Sequence, residues 1–215
     1  MNQREACEAV VRTAVALADQ GYLAGVGGNL ALRIDAERFA VTPSASDYYS
    51  MNADDICVLR LDSLEQLSGH GKPSVESGLH ARALKARPDC MASVHTHQPV
   101  ASAFTLLDRP LPMRSAEARQ LIGHEVPMCA YAPSGTGWLA SNVGKRIRAD
   151  LNAYLMRNHG AVCLGATLED ACAVVRLLEQ EAIAWFRQAL AAQPHNPMYQ
   201  QALAALPIPQ EEEPQ

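Results

Sequence analysis

The chain has 215 residues, a length that suits one domain, because mixed folds of this size commonly form a single unit. Hydrophobic residues make up 48% and charged residues 19%, a globular balance, and no apolar run approaches the ~18 residues that a membrane span requires. The formal net charge of −5 comes without any basic block, which excludes the electrostatic footprint of a nucleic-acid binder.

Residues 3–20 carry Ala6, Val10, Val11, Ala14 and Leu17 at helical spacing and stop at Gly21, predicting a first helix. Aliphatic runs at 30–34, 39–42 and 56–61, separated by Asp, Ser and Gly, predict antiparallel strands. Residues 76–86 have helical character until Arg87-Pro-Asp89 breaks it, and 91–95 predict a strand before a helix over 99–107. Further strands at 126–131 and 153–157 flank a helix over 137–149. Thr167-Leu-Glu-Asp170 is a capping box opening a long helix whose apolar face includes Ala171, Val174, Val175, Leu178, Ile183 and Phe186. The order predicts an α/β fold, a three-layer α/β/α sandwich with a central, largely antiparallel sheet, over residues 1–192. Residues 193–215 form a Pro/Glu-rich tail with a Glu211-Glu-Glu213 run, read as a solvated end. The six cysteines lack a C-x-x-C pair and read as free buried thiols, and the start of the chain has no apolar signal core, so a cytoplasmic location is expected.

Chemistry concentrates in three histidines and a glutamate. In Ala92-Ser-Val-His-Thr-His-Gln98 a strand of period two places His95 and His97 on one face. A second apolar strand ends in His159 just before Gly160, and Glu76 follows Lys72-Pro-Ser-Val. Three neutral nitrogens with an exchangeable oxygen describe a catalytic metal site, since structural zinc sites are usually closed by cysteine. Gly27, Gly28 and Asn29 form a turn where glycine permits close backbone approach and Asn29 supplies an amide donor.

These segments recur in a known order. Gly27-Gly-Asn-Leu-Ala-Leu-Arg33, Val41-Thr-Pro-Ser44, Lys72-Pro-Ser-Val-Glu76, His80, Ala86-Arg-Pro-Asp89, Val94-His-Thr-His97, Tyr131-Ala-Pro-Ser-Gly-Thr136 and Asn158-His-Gly160 resemble the class II aldolase/adducin family, of the fuculose-phosphate-aldolase type. The resemblance runs from the first helix to about Arg187. It implies a metal-dependent aldehyde-lyase that cleaves a short ketose or ketose phosphate through a metal-stabilised enediolate. His95, His97, His159 and Glu76 would bind Zn2+ or another divalent ion such as Mn2+ or Co2+, with Glu76 also moving protons. A decarboxylase of 3-oxo sugar acids on the same scaffold is the alternative. An epimerase, a dehydratase and a non-catalytic adducin-like module rank lower.

The resemblance further implies that Gly28, Asn29, Ser44 and Ser74 cradle an anionic group of a small keto-sugar or sugar-acid substrate, and that the chain is a homotetramer. Three positions depart from the pattern: Val26 stands where the aldolases carry Thr, Ala45 where they carry Gly, and Val75 where they carry a second Ser. Ala116 stands where they carry a tyrosine proton donor, with Glu117, Arg114 and Arg119 nearby as polar candidates.

Overall fold

In the computed structural model, which describes residues 1–23, 27–193 and 195–207, Asn2 caps α1 (Gln3–Asp19) reciprocally with Glu5, satisfying donors that the first turn would otherwise leave open. The chain then builds β1 (Asn29–Arg33), β2 (Arg38–Val41), β3 (Cys57–Arg60) and the short β4 (Gln66–Ser68). Helix α2 (Ser77–Ala86) leads into β5 (Ala92–Thr96), and α3 (Pro99–Phe104) ends in a 3-10 turn over Thr105–Leu107. A two-stranded ribbon, β6 (Leu111–Pro112) with β7 (Glu125–Val126), brackets α4 (Ala116–Leu121). There follow β8 (Met128–Cys129), α5 (Gly137–Gly144), β9 (Ala153–Met156), β10 (Gly160–Gly165), α6 (Leu168–Ala191) and α7 (Pro197–Ala205).

The main sheet has the order β4-β3-β2-β1-β5-β10-β9-β8, antiparallel throughout except for the β8–β9 pair. Alternation along the strands divides the core. Leu30, Leu32, Val94, Ala161 and Cys163 pack with α1, α3 and α6 on one face. Tyr154, Met156, Val162 and Leu164 pack with α2 and α5 on the other, beside a further patch of Ala31, Phe39, Val41 and Leu84. This is the three-layer sandwich around a largely antiparallel sheet that the sequence predicts.

Several bounds differ from the sequence reading for local reasons. The strand expected at 126–131 is two pieces, since Pro127 has no N–H to offer a ladder. The helix expected over 137–149 ends at Gly144, and that over 99–107 tightens into its 3-10 turn. His159 does not end a strand; it lies in the turn joining β9 to β10, where Asn158 takes a left-handed φ of 54°. Strand β10, central and wholly buried, is absent from the sequence reading. Within the expected tail, α7 packs along α6, whereas Glu211-Glu-Glu213 lies outside the described residues.

Candidate metal centre

Strand β5 sends Ser93 and His95 toward the α2/α5 face, while Val94 enters the opposite core. Asn29 on β1 stands directly across from His95 in the antiparallel register, and Val162 on β10 flanks it on the other side. His97 lies one residue past the end of β5 and His159 arrives from the β9–β10 turn. Their donor atoms all fall within 4.8 Å of one another. Glu76 is the N-cap residue of α2, yet its side chain makes no capping bond and turns into the cluster instead.

The distances suit a small cation. His95 Nε2 is 3.0 Å from His97 Nε2 and 3.3 Å from Glu76 Oε2, and His159 Nε2 is 3.5 Å from Glu76 Oε1. A tetrahedral ion with arms of about 2.0–2.1 Å would require donor separations of about 3.3–3.4 Å. Hydrogen-bond logic points the same way. His95 Nδ1 lies 2.8 Å from the Ala161 carbonyl, which can only accept, so Nδ1 carries the proton and Nε2 presents a lone pair. That lone pair faces a carboxylate oxygen, another acceptor. Complete burial lowers the His95 pKa, so a proton does not resolve the conflict near neutrality; a divalent ion among the donors would.

Glu76 is ionised. Burial opposes the charge, but hydrogen bonds from Asn29 and Ser134 favour it and hold the carboxyl below its usual range. Asn29 Nδ2 donates to Oε2 at 2.9 Å and Ser134 Oγ donates to Oε1 at 2.8 Å. His80 Nε2 stands 2.6 Å from Asn29 Oδ1, its Nδ1 stands 2.8 Å from Ser93 Oγ, and burial lowers its pKa to about 4, which keeps the ring neutral.

A cleft of ≈ 130 Å³ opens onto this cluster. It is lined by Gly28, Asn29, Ser44, Ala45, Ser74, Val75, Glu76, His97, Ser134 and His159, so the structure brings the residues singled out from the sequence to one place. Gly28 has φ of 84°, and a Cβ there would sit 2.9 Å from the His95 carbonyl. Tyr48 Oη donates to the Gly28 carbonyl at 2.7 Å and pins this turn. Ser74 Oγ accepts from the Glu76 amide, and the Ser44 amide donates to the Lys72 carbonyl. Ala45 occupies a left-handed φ of 53°, and Val75 is 60% exposed at the mouth. Val26 lies outside the described residues.

Arg114, Glu117 and Arg119 sit elsewhere. The backbone amide of Arg114 donates to Glu181 on α6, Arg119 Nε donates to the Met113 carbonyl, and Glu117 is exposed on α4, none of them lining the cleft of this chain. A larger groove of ≈ 550 Å³ between α2 and α5, lined by Arg82, Lys85, Ala140 and Gly144 among others, contains none of the cluster residues. Sequence reasoning misses Tyr48, which no motif marks, and Ser134, which lies inside the Tyr131–Thr136 motif but reaches Glu76 only through the fold.

Comparison with known proteins finds relatives along most of the chain. Residues 8–185 match the Class II Aldolase and Adducin N-terminal domain. An L-fuculose phosphate aldolase of Methanococcus vannielii is 32% identical over 76% of this chain and 86% of that protein. A 3-oxo-tetronate 4-phosphate decarboxylase of Haemophilus influenzae is 30% identical over 83% of this chain and 86% of its own length. The crystal structure of the L-fuculose-1-phosphate aldolase from Thermus thermophilus superposes with a TM-score of 0.76 at 26% identity, covering 90% of this chain and 98% of that one.

Proposed function

The chain belongs to the class II aldolase and adducin family, and from that premise we propose that it is a zinc-dependent aldehyde-lyase cleaving a short ketose or its phosphate into a hydroxyketone, or its phosphate, and an aldehyde. One observation carries the reading: three imidazoles and an ionised, hydrogen-bonded Glu76 converge at the floor of a cleft. An adducin-like module without chemistry would have no use for that arrangement. His95, His97 and His159, with Glu76, would hold the ion; Mn2+ and Co2+ suit the same donors. When bound, the cation supplies a Lewis acid that polarises a substrate carbonyl.

The remaining work falls to the chain. Glu76 takes the proton from the hydroxyl on the carbon that becomes the aldehyde, and returns a proton to the carbon left behind. Its burial at 5% exposure keeps bulk water from competing for that proton. Gly28, Asn29, Ser44 and Ser74 orient the anionic end of the substrate. Each lost charge-assisted hydrogen bond removes roughly 1.5–3 kcal/mol, so Val26 and Val75 in place of hydroxyl residues disfavour a phosphate dianion relative to a free ketose or a smaller anion.

A carboxy-lyase acting on 3-oxo sugar acids is the second reading. Ala116 favours it, since loss of carbon dioxide forms no aldehyde and leaves no hydroxyl proton for a tyrosine to handle. The net negative charge fits a small-molecule enzyme in either case, and among the described residues no helix is long and apolar enough to cross a membrane. A homotetramer is proposed from the family resemblance.

The test is elemental analysis and a substrate panel on one preparation. About one divalent ion per chain is expected, together with carbon–carbon cleavage of a short keto-sugar when phosphorylated and free ketoses and 3-oxo acids are compared in matched pairs. His95→Ala should lose metal and turnover together, and sedimentation should show a tetramer of the 23.2 kDa chain. Unchanged metal content in His95→Ala would refute the site.

A further inference from the structure

Behind Glu76 runs a chain of hydrogen bonds whose polarity is fixed at every link. An ionised carboxylate can only accept, so the Asn29 amide must present its N–H to Oε2, as its Nδ2 does at 2.9 Å. The carbonyl end of that amide therefore faces His80, and His80 Nε2, 2.6 Å away, must donate to it. A neutral imidazole with its proton on Nε2 has only an acceptor at Nδ1, so the Ser93 hydroxyl, 2.8 Å away, must donate. Ser93 and His80 are wholly buried, and Asn29 and Glu76 are 7% and 5% exposed. No member can turn round alone.

We infer that His80 is a positioning residue which, through Asn29, fixes the orientation of the Glu76 carboxylate. The Asn29 amide keeps its N–H end on Oε2 only while its carbonyl end is held by His80. Turning it over would require His80 to move its proton to Nδ1 and Ser93 to reverse, all inside the core. The other oxygen, Oε1, has the Ser134 hydroxyl at 2.8 Å, on an exposed turn, so the carboxylate is held from its buried side.

The inference deepens the proposed role of Glu76 and rests on it, so its test carries Glu76→Gln as a separate arm. Wild type, His80→Leu, His80→Gln, Ser93→Ala and Glu76→Gln are loaded with zinc. They are compared by zinc content, by kcat and KM on the substrate found in the panel, and by 15N NMR of histidine-labelled protein without substrate. One imidazole signal, missing from His80→Gln, should show its proton on Nε2 and slow exchange with solvent. His80→Leu should keep its zinc and lose about 30-fold or more in kcat, with KM changed by less than about threefold, because a misplaced base costs rate and not binding. His80→Gln should recover most of that rate, since one amide supplies both the donor for Asn29 and the acceptor for Ser93.

A proton found on Nδ1 of His80, or a folded, zinc-loaded His80→Leu with wild-type kcat, overturns the inference. If His80→Leu does not fold, Ser93→Ala takes its place, and wild-type kcat together with an unchanged His80 signal there overturns it equally. Full activity in Glu76→Gln would instead refute the role of Glu76 itself. An inactive Glu76→Gln beside wild-type His80 variants would remove only the relay.

Discussion

Ala45 shows at a single residue how far the chain has drifted from the pattern it resembles. Its φ of 53° is a conformation in which a Cβ crowds the following carbonyl, at about 1–2 kcal/mol, while glycine adopts it without strain. Against that relief stands the greater freedom of glycine in the unfolded chain, worth about 0.4–1 kcal/mol. Strain wins by a small margin. Ala45→Gly should therefore raise Tm by about 1–4 °C in a chain of this size, and a lower Tm in a thermal scan would show the backbone relaxed here. The substitution was legible in the sequence, because the resemblance assigns glycine to this position; the positive φ was not. Likewise His95, His97, His159 and Glu76 were readable as a donor set, whereas the contact of His80 with Asn29 spans 51 residues and no local spacing reports it. Ser134 needed the fold to bring a turn 58 residues away onto Glu76.

Elements were legible in proportion to their periodicity. The helical stripes of α1 and α6 and the alternation of β5 carry enough repeats to be read, and Thr167 closes its predicted box with Asp170. Strand β10 escaped because its six residues are buried on both faces and lack alternation, and because the turn before it has no Asn-Gly signature. Short pieces such as β4, β6, β7 and α4 offer no periodic signal at all. Yet β10 opens with the glycine on which the centre depends. A Cβ on Gly160 would collide with the Thr96 carbonyl, would sit 2.8 Å from His97 Cδ2 and would press on His95 Cε1 at 3.3 Å. The backbone atoms cannot move without opening the β5–β10 ladder. Gly160→Ala should cost about 1–3 kcal/mol by denaturant titration and reduce the zinc bound per chain, as overpacking does beside a site that needs fixed donors. Wild-type stability with full zinc content would show that the hairpin does not set the spacing of the histidines.

At the scale of the whole molecule, the sandwich buries neutral imidazoles where its sheet meets α2, and that has a consequence for stability against acid. His80 ionises near 6.5 when unfolded and only at about 4 inside the fold, so below neutrality the unfolded chain binds the extra proton. Stability then falls as pH falls: the contribution is intact above 6.5, is lost progressively down to about 4, and amounts to about 3 kcal/mol from this one group. Burial lowers His95 and His97 as well, adding loss in the same direction, whereas the depressed Glu76 loses its contribution only below its ordinary value of 4.5. The windows are therefore separate, and the histidines govern the milder one. Urea titrations of chelator-treated protein between pH 7.5 and 4.5 should show unfolding free energy decreasing, with a maximum slope of about 1.4 kcal/mol per pH unit for each buried histidine. His80→Gln, which keeps both hydrogen bonds and cannot protonate, should flatten that profile by the share of one group. Identical slopes for the two proteins would mean that His80 is solvated or charged in the native state, and the fixed polarity of the bonds behind Glu76 would fall with it.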